Sequence, residues 1–201
     1  LALGTSMVMI PRSAAYTARL DNPRLVEDER AIERGAIRAH DGSLLASSVR
    51  ASDIGGQRVF SRTYALPEAA SAIGYYSQRY GVGGLEAFAD AHLRGSRSFG
   101  ARMLHLPQAG APITTTLDVA LQSRAAQALA GRKGAAIIMD WRTGAVLALA
   151  SAPGFDPNTL DRDWDLLRGD NAAPLLNRVT QGLYQPGQLL PWLYGQAPEQ
   201  F

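Results

Sequence analysis

Short apolar stretches alternate with turn-forming residues along the first half of the chain. Asn22-Pro23 marks a chain entry, because the residue before a proline is pushed out of the helical region. Ala36-Ile37 and Leu44-Leu45-Ala46 flank Asp41-Gly42, which predicts a two-residue hairpin with positive φ at both turn positions. Val59 to Tyr64 alternates as a strand does, and Leu66 to Tyr76 follows with a proline, small residues and aromatics. Gly81-Val-Gly-Gly84 reads as a loop. Leu85 to Leu93 then places Leu85, Phe88, Ala89 and His92 at helical spacing, with Gly95 as the stop.

Residues 96 to 112, rich in Gly, Pro, Arg, Gln and Ser, form a boundary. Past it, Leu117, Leu121, Ala125, Ala128 and Leu129 line one face of a helix capped by Thr115 or Thr116 and ended by Gly131. The runs AAIIMD and AVLALAS, around Trp141-Arg142-Thr143-Gly144, predict two buried strands at 135–140 and 145–151 joined by a tight turn. Pro153, Gly154, Pro157 and Asn158 make the next loop, and Asp161 to Asn171 is a polar stretch. In PLLNRVTQGLYQPGQLLPWLYG, Gly182 and Pro186-Gly187 break what would otherwise be helical. The fold class is α+β.

Composition narrows the function classes. Of 201 residues, 46% are apolar and 19% charged, a balance unlike that of a disordered chain. The net charge of +2 is small and the basic residues are spread, with Lys133 the single lysine, so no nucleic-acid surface is expected. With no cysteine, a disulfide framework, a thiolate zinc site and a cysteine nucleophile are excluded. His40, His92 and His105 lack metal-ligand spacing and read as surface or loop residues. Ser151, Asp156 and Asn158 have no histidine near them and read as turn residues. The opening ten residues are too few to cross a bilayer core, which takes about 20 in a helix. They read either as the cut end of an anchor helix or as a short buried element of a processed chain.

Four stretches, in order, resemble one family. NPRLVEDERAIERGAIRAHDGSLLASS is similar to the entry of class B penicillin-binding proteins, with Arg34, Gly35, Ile37, Asp41, Gly42, Leu45, Ala46 and Ser48 fitting its pattern. His40 stands where the family prefers Arg or Asn. GYYSQRYGVGGLEAFADAHLRG is similar to later landmarks of the same pedestal, TTTLDVALQSRAAQALAGRKGAAIIMDWRTGAVLALASAPGFDPN to the start of the transpeptidase domain, and NRVTQGLYQPG to the run into its nucleophile. The resemblance implies a membrane-proximal or anchor-derived segment at 1–20 and a mixed, dimerisation-like pedestal module at 21–110. It implies the truncated beginning of a transpeptidase-like domain, a helix plus an antiparallel hairpin, at 113–201.

The family continues from Tyr-x-Pro-Gly into Ser-x-x-Lys, whose serine attacks the D-Ala-D-Ala carbonyl with the lysine's help. Here Gln188 and Pro191 stand at those two positions, no Ser-x-x-Lys occurs elsewhere, and neither Ser-x-Asn nor Lys-Thr-Gly appears. True degeneracy is expected in preference to an altered reading frame, so no catalytic residue is assigned. No metal or organic cofactor is implied. The implied role is a non-catalytic component of peptidoglycan assembly at the outer, extracytoplasmic face of the cytoplasmic membrane. It would act through a cell-wall synthesis membrane protein or a second copy of the chain, with a weak contact to peptidoglycan stem peptide. The alternative is a fragment of an active serine D,D-transpeptidase whose catalytic half lies elsewhere.

Overall fold

The computed structural model describes residues 29–54, 57–97, 103–104 and 106–185. The expectations for residues 1–20, Asn22-Pro23, His105, Gln188 and Pro191 lie outside them. Among the described residues no helix is long and apolar enough to cross a membrane.

The first module is a four-stranded sheet with short helices on one side. Strands β1 (Ile37–Arg38), β2 (Leu44–Ile54) and β3 (Gln57–Tyr64) are antiparallel neighbours, and β6 (Ile113–Thr114) joins parallel to β1, giving the order β3-β2-β1-β6. The β1–β2 connection differs from the two-residue turn expected. Gly42 donates its N–H to the Ala39 carbonyl and Ala39 donates to Ser43, while only Gly42 takes positive φ, +85°. Asp41 stays in an ordinary region because its carboxylate accepts the Ser43 N–H and hydroxyl, which also lowers the Asp41 pKa.

The connection from β3 back to β6 holds a 3-10 turn (Pro67–Ala69), α1 (Ala70–Ile73), α2 (Leu85–Phe88) and α3 (Asp90–Arg94). Gly81–Gly83 is not a loop: it forms β5, antiparallel to β4 (Tyr75–Ser77). The expected helix over 85–93 is two pieces broken at Ala89, which rotates the buried face. Phe88 is 90% exposed and His92 lies in solvent, whereas Glu86 and Leu93 are fully buried. Gly95 ends α3 at φ +65°, as expected. Ile37, Leu45, Tyr64, Ile73, Leu93 and Leu117 fill the core. Gly35 and Gly110 let backbones cross there: a Cβ on either would lie within 2 Å of a carbonyl oxygen, of Ala111 and Leu93 respectively.

The second module is thinner. Helix α4 (Val119–Ala128) packs on a hairpin of β7 (Gly134–Met139) and β8 (Val146–Ala152), with α5 (Leu160–Gly169) following. The helix begins later than expected because Thr115 and Thr116 donate their hydroxyls to the Arg38 and Val146 carbonyls, leaving Asp118 to cap it by accepting the Leu121 N–H at 2.8 Å. Leu117 therefore precedes the helix and belongs to the first core, and Ala128 faces solvent. The second core is Ala125, Ala148 and Ala150, bordered by Leu121, Leu129, Ala136 and Ile138. The stretch read as polar from Asp161 is helical, with Leu160 buried and Trp164 turned inward to meet Tyr75 and Tyr80. Pro174 to Gln185 forms turns and irregular chain, with no helix.

Candidate functional site

The pedestal is organised around a carboxylate with no exposed surface. Glu86 accepts from Arg34 Nη2 at 2.9 Å and from Arg62 Nε at 2.7 Å. Arg34 also donates to Asp90 at 2.7 Å, and Arg62 to the Gly35 carbonyl at 2.8 Å. The Arg34 guanidinium lies 4.4 Å from the Tyr76 ring centre, a cation–π contact. Burial works against the Arg34 charge, but the hydrogen bonds and charges of Asp90 and Glu86 outweigh it and raise its pKa. Tyr64 accepts the Tyr76 N–H at 2.7 Å on its hydroxyl oxygen and donates to Glu86 at 3.4 Å. Tyr76 in turn donates to Glu29 at 3.0 Å. Burial and then the nearby carboxylates push both phenols well above the ordinary tyrosine range. Residues from four separate segments, 29–34, β3, β4 and the α2–α3 pair, meet here, so the node fixes the pedestal's shape.

The two modules are joined by side-chain amides gripping main chain. Gln122, fully buried on α4, donates to the Glu68 carbonyl at 3.1 Å and the Leu149 carbonyl at 2.9 Å, and accepts the Leu149 N–H at 2.9 Å. Asn158 accepts the Tyr64 N–H at 2.9 Å and donates to the Tyr64 carbonyl at 3.0 Å, standing in for a neighbouring strand at the edge of β3. Asn177 donates to the Ser71 carbonyl at 2.8 Å. Between the modules lies a cleft of about 820 Å³, walled by Ser71, Tyr75, Leu129, Phe155, Leu176 and Gln181, with Arg132 and Lys133 at the C-terminal end of α4.

The segment that leads toward position 188 is pinned by a buried cation. Arg178 donates to the carbonyls of Ala172, Ala173 and Leu176 and has no carboxylate partner among the described residues. Ser151 donates to the Leu176 carbonyl at 3.1 Å and accepts the Arg178 N–H at 3.0 Å. Thus Ser151 ties chain to β8, Asp156 accepts the Asn158 N–H, and Asn158 grips β3: these three residues hold turns and modules together. His40 faces solvent with Nδ1 3.1 Å from the Leu117 carbonyl. Among the described residues no group of three His, Cys, Asp or Glu could hold a metal ion.

Sequence reasoning singled out Arg34 but missed Arg62, Glu86 and Gln122 as structural centres. Composition and periodicity give a buried polar residue no signature, although Glu86 sits inside the Gly84-Leu85-Glu86 landmark.

A sheet-based pedestal followed by a helix packed on an antiparallel hairpin is the architecture of a penicillin-binding protein. Two family models match in that order: the penicillin binding protein A dimerisation domain over residues 34–111 and the penicillin binding protein transpeptidase domain over 134–187. The peptidoglycan D,D-transpeptidase PbpA of Mycolicibacterium smegmatis is 36% identical over 83% of this chain and 37% of its own length. MrdA of Escherichia coli K12, also a peptidoglycan D,D-transpeptidase, is 46% identical over 40% of this chain and 13% of its own. Among solved structures, the ceftriaxone acyl-enzyme of Mycobacterium tuberculosis penicillin-binding protein A superposes with a TM-score of 0.72 at 33% identity, covering 86% of this chain and 44% of that one. The D,D-transpeptidase domain structure from Eggerthella lenta gives 0.68 at 34% identity, covering 80% and 35%. The chain belongs to the class B penicillin-binding proteins. It spans 37 to 41% of the PbpA relatives it matches.

Proposed function

We propose that this chain is a non-catalytic, penicillin-binding-protein-like component of peptidoglycan assembly, working through protein contacts at the extracytoplasmic face of the cytoplasmic membrane. The observation that carries the reading is the pair Gln188 and Pro191 after Tyr184-Gln185-Pro186-Gly187. A glutamine amide forms no acyl-enzyme with a D-Ala-D-Ala carbonyl or a β-lactam, and proline offers no amine to take a hydroxyl proton. What the geometry provides instead is a rigid pedestal and an amide-clasped joint that present a second module at a fixed angle. The partners this reading calls for are a cell-wall synthesis membrane protein or a second copy. A weak contact with peptidoglycan stem peptide fits the cleft, where Arg132 and Lys133 suit its carboxylates and Tyr75 and Phe155 its apolar parts.

A second reading is favoured by the acyl-enzyme structures of relatives at 33–34% identity. In it, these residues belong to an active serine D,D-transpeptidase whose nucleophile lies outside these 201 residues. Fluorescent-penicillin labelling read by intact mass separates the two. No adduct on this chain or on the full native gene product is expected; an adduct on the native product alone establishes the second reading. An adduct on this chain overturns the non-catalytic reading outright.

A further inference from the structure

The short β4–β5 hairpin stands between the place where the chain enters the pedestal and one half of the second module. On its entry side, Tyr76 donates its hydroxyl to Glu29 at 3.0 Å and Arg30 Nε donates to the Gln78 side-chain carbonyl at 3.0 Å, while Arg94 pairs with the same Glu29. On its far side it meets residues 155–164 along two lines. One is polar: the Tyr64 hydroxyl accepts the Tyr76 N–H at 2.7 Å, and the Tyr64 main chain is held by Asn158 through both its N–H and its C=O. The other is aromatic. Tyr80 stacks on Trp164 with ring centres 4.3 Å apart and planes 10° apart, and Tyr75 meets Trp164 and Phe155 edge-on at 6.2 and 5.9 Å.

The β4–β5 hairpin is built to move as one piece. Ser77, 4% exposed, accepts the N–H groups of Arg79 and Tyr80 at 3.1 and 2.8 Å, which fixes the turn. At its base Gly74 and Gly84, both at positive φ, cross so closely that a Cβ on one would lie 2.8 or 2.7 Å from the Cα of the other. The remaining clasps between the modules bypass it. Gln122 reaches Glu68, and Asn177 and Leu149 reach Ser71, all on the N-terminal side of Gly74.

We propose that the β4–β5 hairpin is a conformational relay, through which the position of the incoming chain at Glu29 and Arg30 sets the position of residues 155–164, while α4, β7 and β8 stay in place. A pull on residues 29–30 loads Tyr76 and Gln78 directly. The stiff hairpin passes the displacement to Tyr64 by a hydrogen bond and to Trp164 by ring contact. Gln122, Ser71 and Asn177 hold the other half of the module to a part of the pedestal that carries no bond to the entry. The two halves of the joint therefore answer to different inputs, under either reading of the function. Such coupling is reciprocal, so freeing the Asn158 end must loosen the entry end as well.

Trp141→Phe with Trp192→Phe leaves Trp164 as the one tryptophan of the full chain and a direct probe of the stack. In that background Glu29→Ala, at a partly exposed side chain, should shift Trp164 emission to the red as the stack with Tyr80 opens. It should also speed amide exchange at Tyr64 about tenfold and leave Leu149 unchanged. Tyr76→Phe, which removes only the hydroxyl bonded to Glu29, should reproduce both effects. In the reverse direction, Asn158→Ala should speed exchange of the Tyr76 amide, and Gln122→Ala should not. A Trp164 signal and a Tyr64 amide indifferent to Glu29→Ala overturn the proposal. So does equal acceleration at Leu149, which is general loosening, and so does an effect of Glu29→Ala that Tyr76→Phe fails to reproduce.

Discussion

The pedestal and the hairpin module solve the same problem with different materials. The pedestal buries long side chains, Ile37, Leu45, Ile73 and Leu93, around a charge-balanced node. The hairpin module buries three alanines between α4 and its sheet and leaves Ile137 and Met139 in solvent. At about 25 cal/mol per Å² of apolar surface, three alanines supply little, and a two-stranded hairpin is marginal alone. The second module therefore borrows stability from the first through Gln122, Asn158 and Asn177. A body that is rigid and a passenger that is clasped to it should fail in a definite order, and that order can be measured.

The largest effect belongs to Glu86. Glu86→Ala leaves Arg34 and Arg62 buried without their shared carboxylate, and breaking such a pair costs about 3–5 kcal/mol. Urea unfolding should lose that amount, and both modules should melt together because the second is clasped to the first through Gln122, Asn158 and Asn177. If the hairpin module kept its protection from hydrogen exchange while the pedestal unfolded, the dependence would run the other way.

Alkaline pH attacks the same node by a different route. Tyr64 and Tyr76 are raised above the ordinary value of 10.0, first by burial and then by Glu86 and Glu29. The fold thus favours the neutral phenols: their contribution is complete below pH 10.0 and is lost as the pH climbs past it. The denaturant midpoint should be flat near neutrality and fall above 10.0. Tyr64→Phe should flatten that fall while lowering the midpoint at neutral pH, because the Tyr76 N–H loses its acceptor.

These centres mark where sequence stops being legible. The β7–β8 hairpin was readable to within one residue at each end, since two apolar runs around Trp141-Arg142-Thr143-Gly144 admit few other arrangements. Helix α5 was missed because only Leu160 is buried and most of its other positions are polar. Of the face expected over 85–93, Leu85 and Ala89 do pack on the core, but periodicity assumes one continuous helix, and in the two pieces broken at Ala89 Phe88 and His92 face solvent while Glu86 is buried. Glu86 and Gln122 look like ordinary surface residues until their partners, 22 to 54 residues away in sequence, come into view. Family landmarks gave no sign of the joint between the modules.

The joint itself is tested by Gln122→Ala. The substitution leaves the Leu149 N–H without its acceptor and removes the bridge to Glu68, a cost of about 1–3 kcal/mol. Unlike Glu86→Ala, it should act on one module only. Amide exchange at Leu149 and along β8 should accelerate, while the Tyr64 amide, held by Asn158, keeps its protection. Equal acceleration at both sites would mean that the modules form one cooperative unit and that the distinction between body and passenger is wrong.

The smallest expected effect sharpens the contrast most, because it is local by construction. Asp118 caps α4 through the Leu121 N–H and donates its own N–H to the Leu147 carbonyl at 2.8 Å. Asp118→Ala removes only the side-chain acceptor, worth about 1 kcal/mol, and Asp118→Asn should restore most of it. In the pedestal a loss of that size would disappear into a deep core. In a module resting on three alanines it should fray the first turn of α4, loosen Gln122 one turn further on, and so raise exchange at Leu149 as well as at Leu121. A change confined to Leu121 would show that Gln122 is held by its own hydrogen bonds and owes nothing to the helix start.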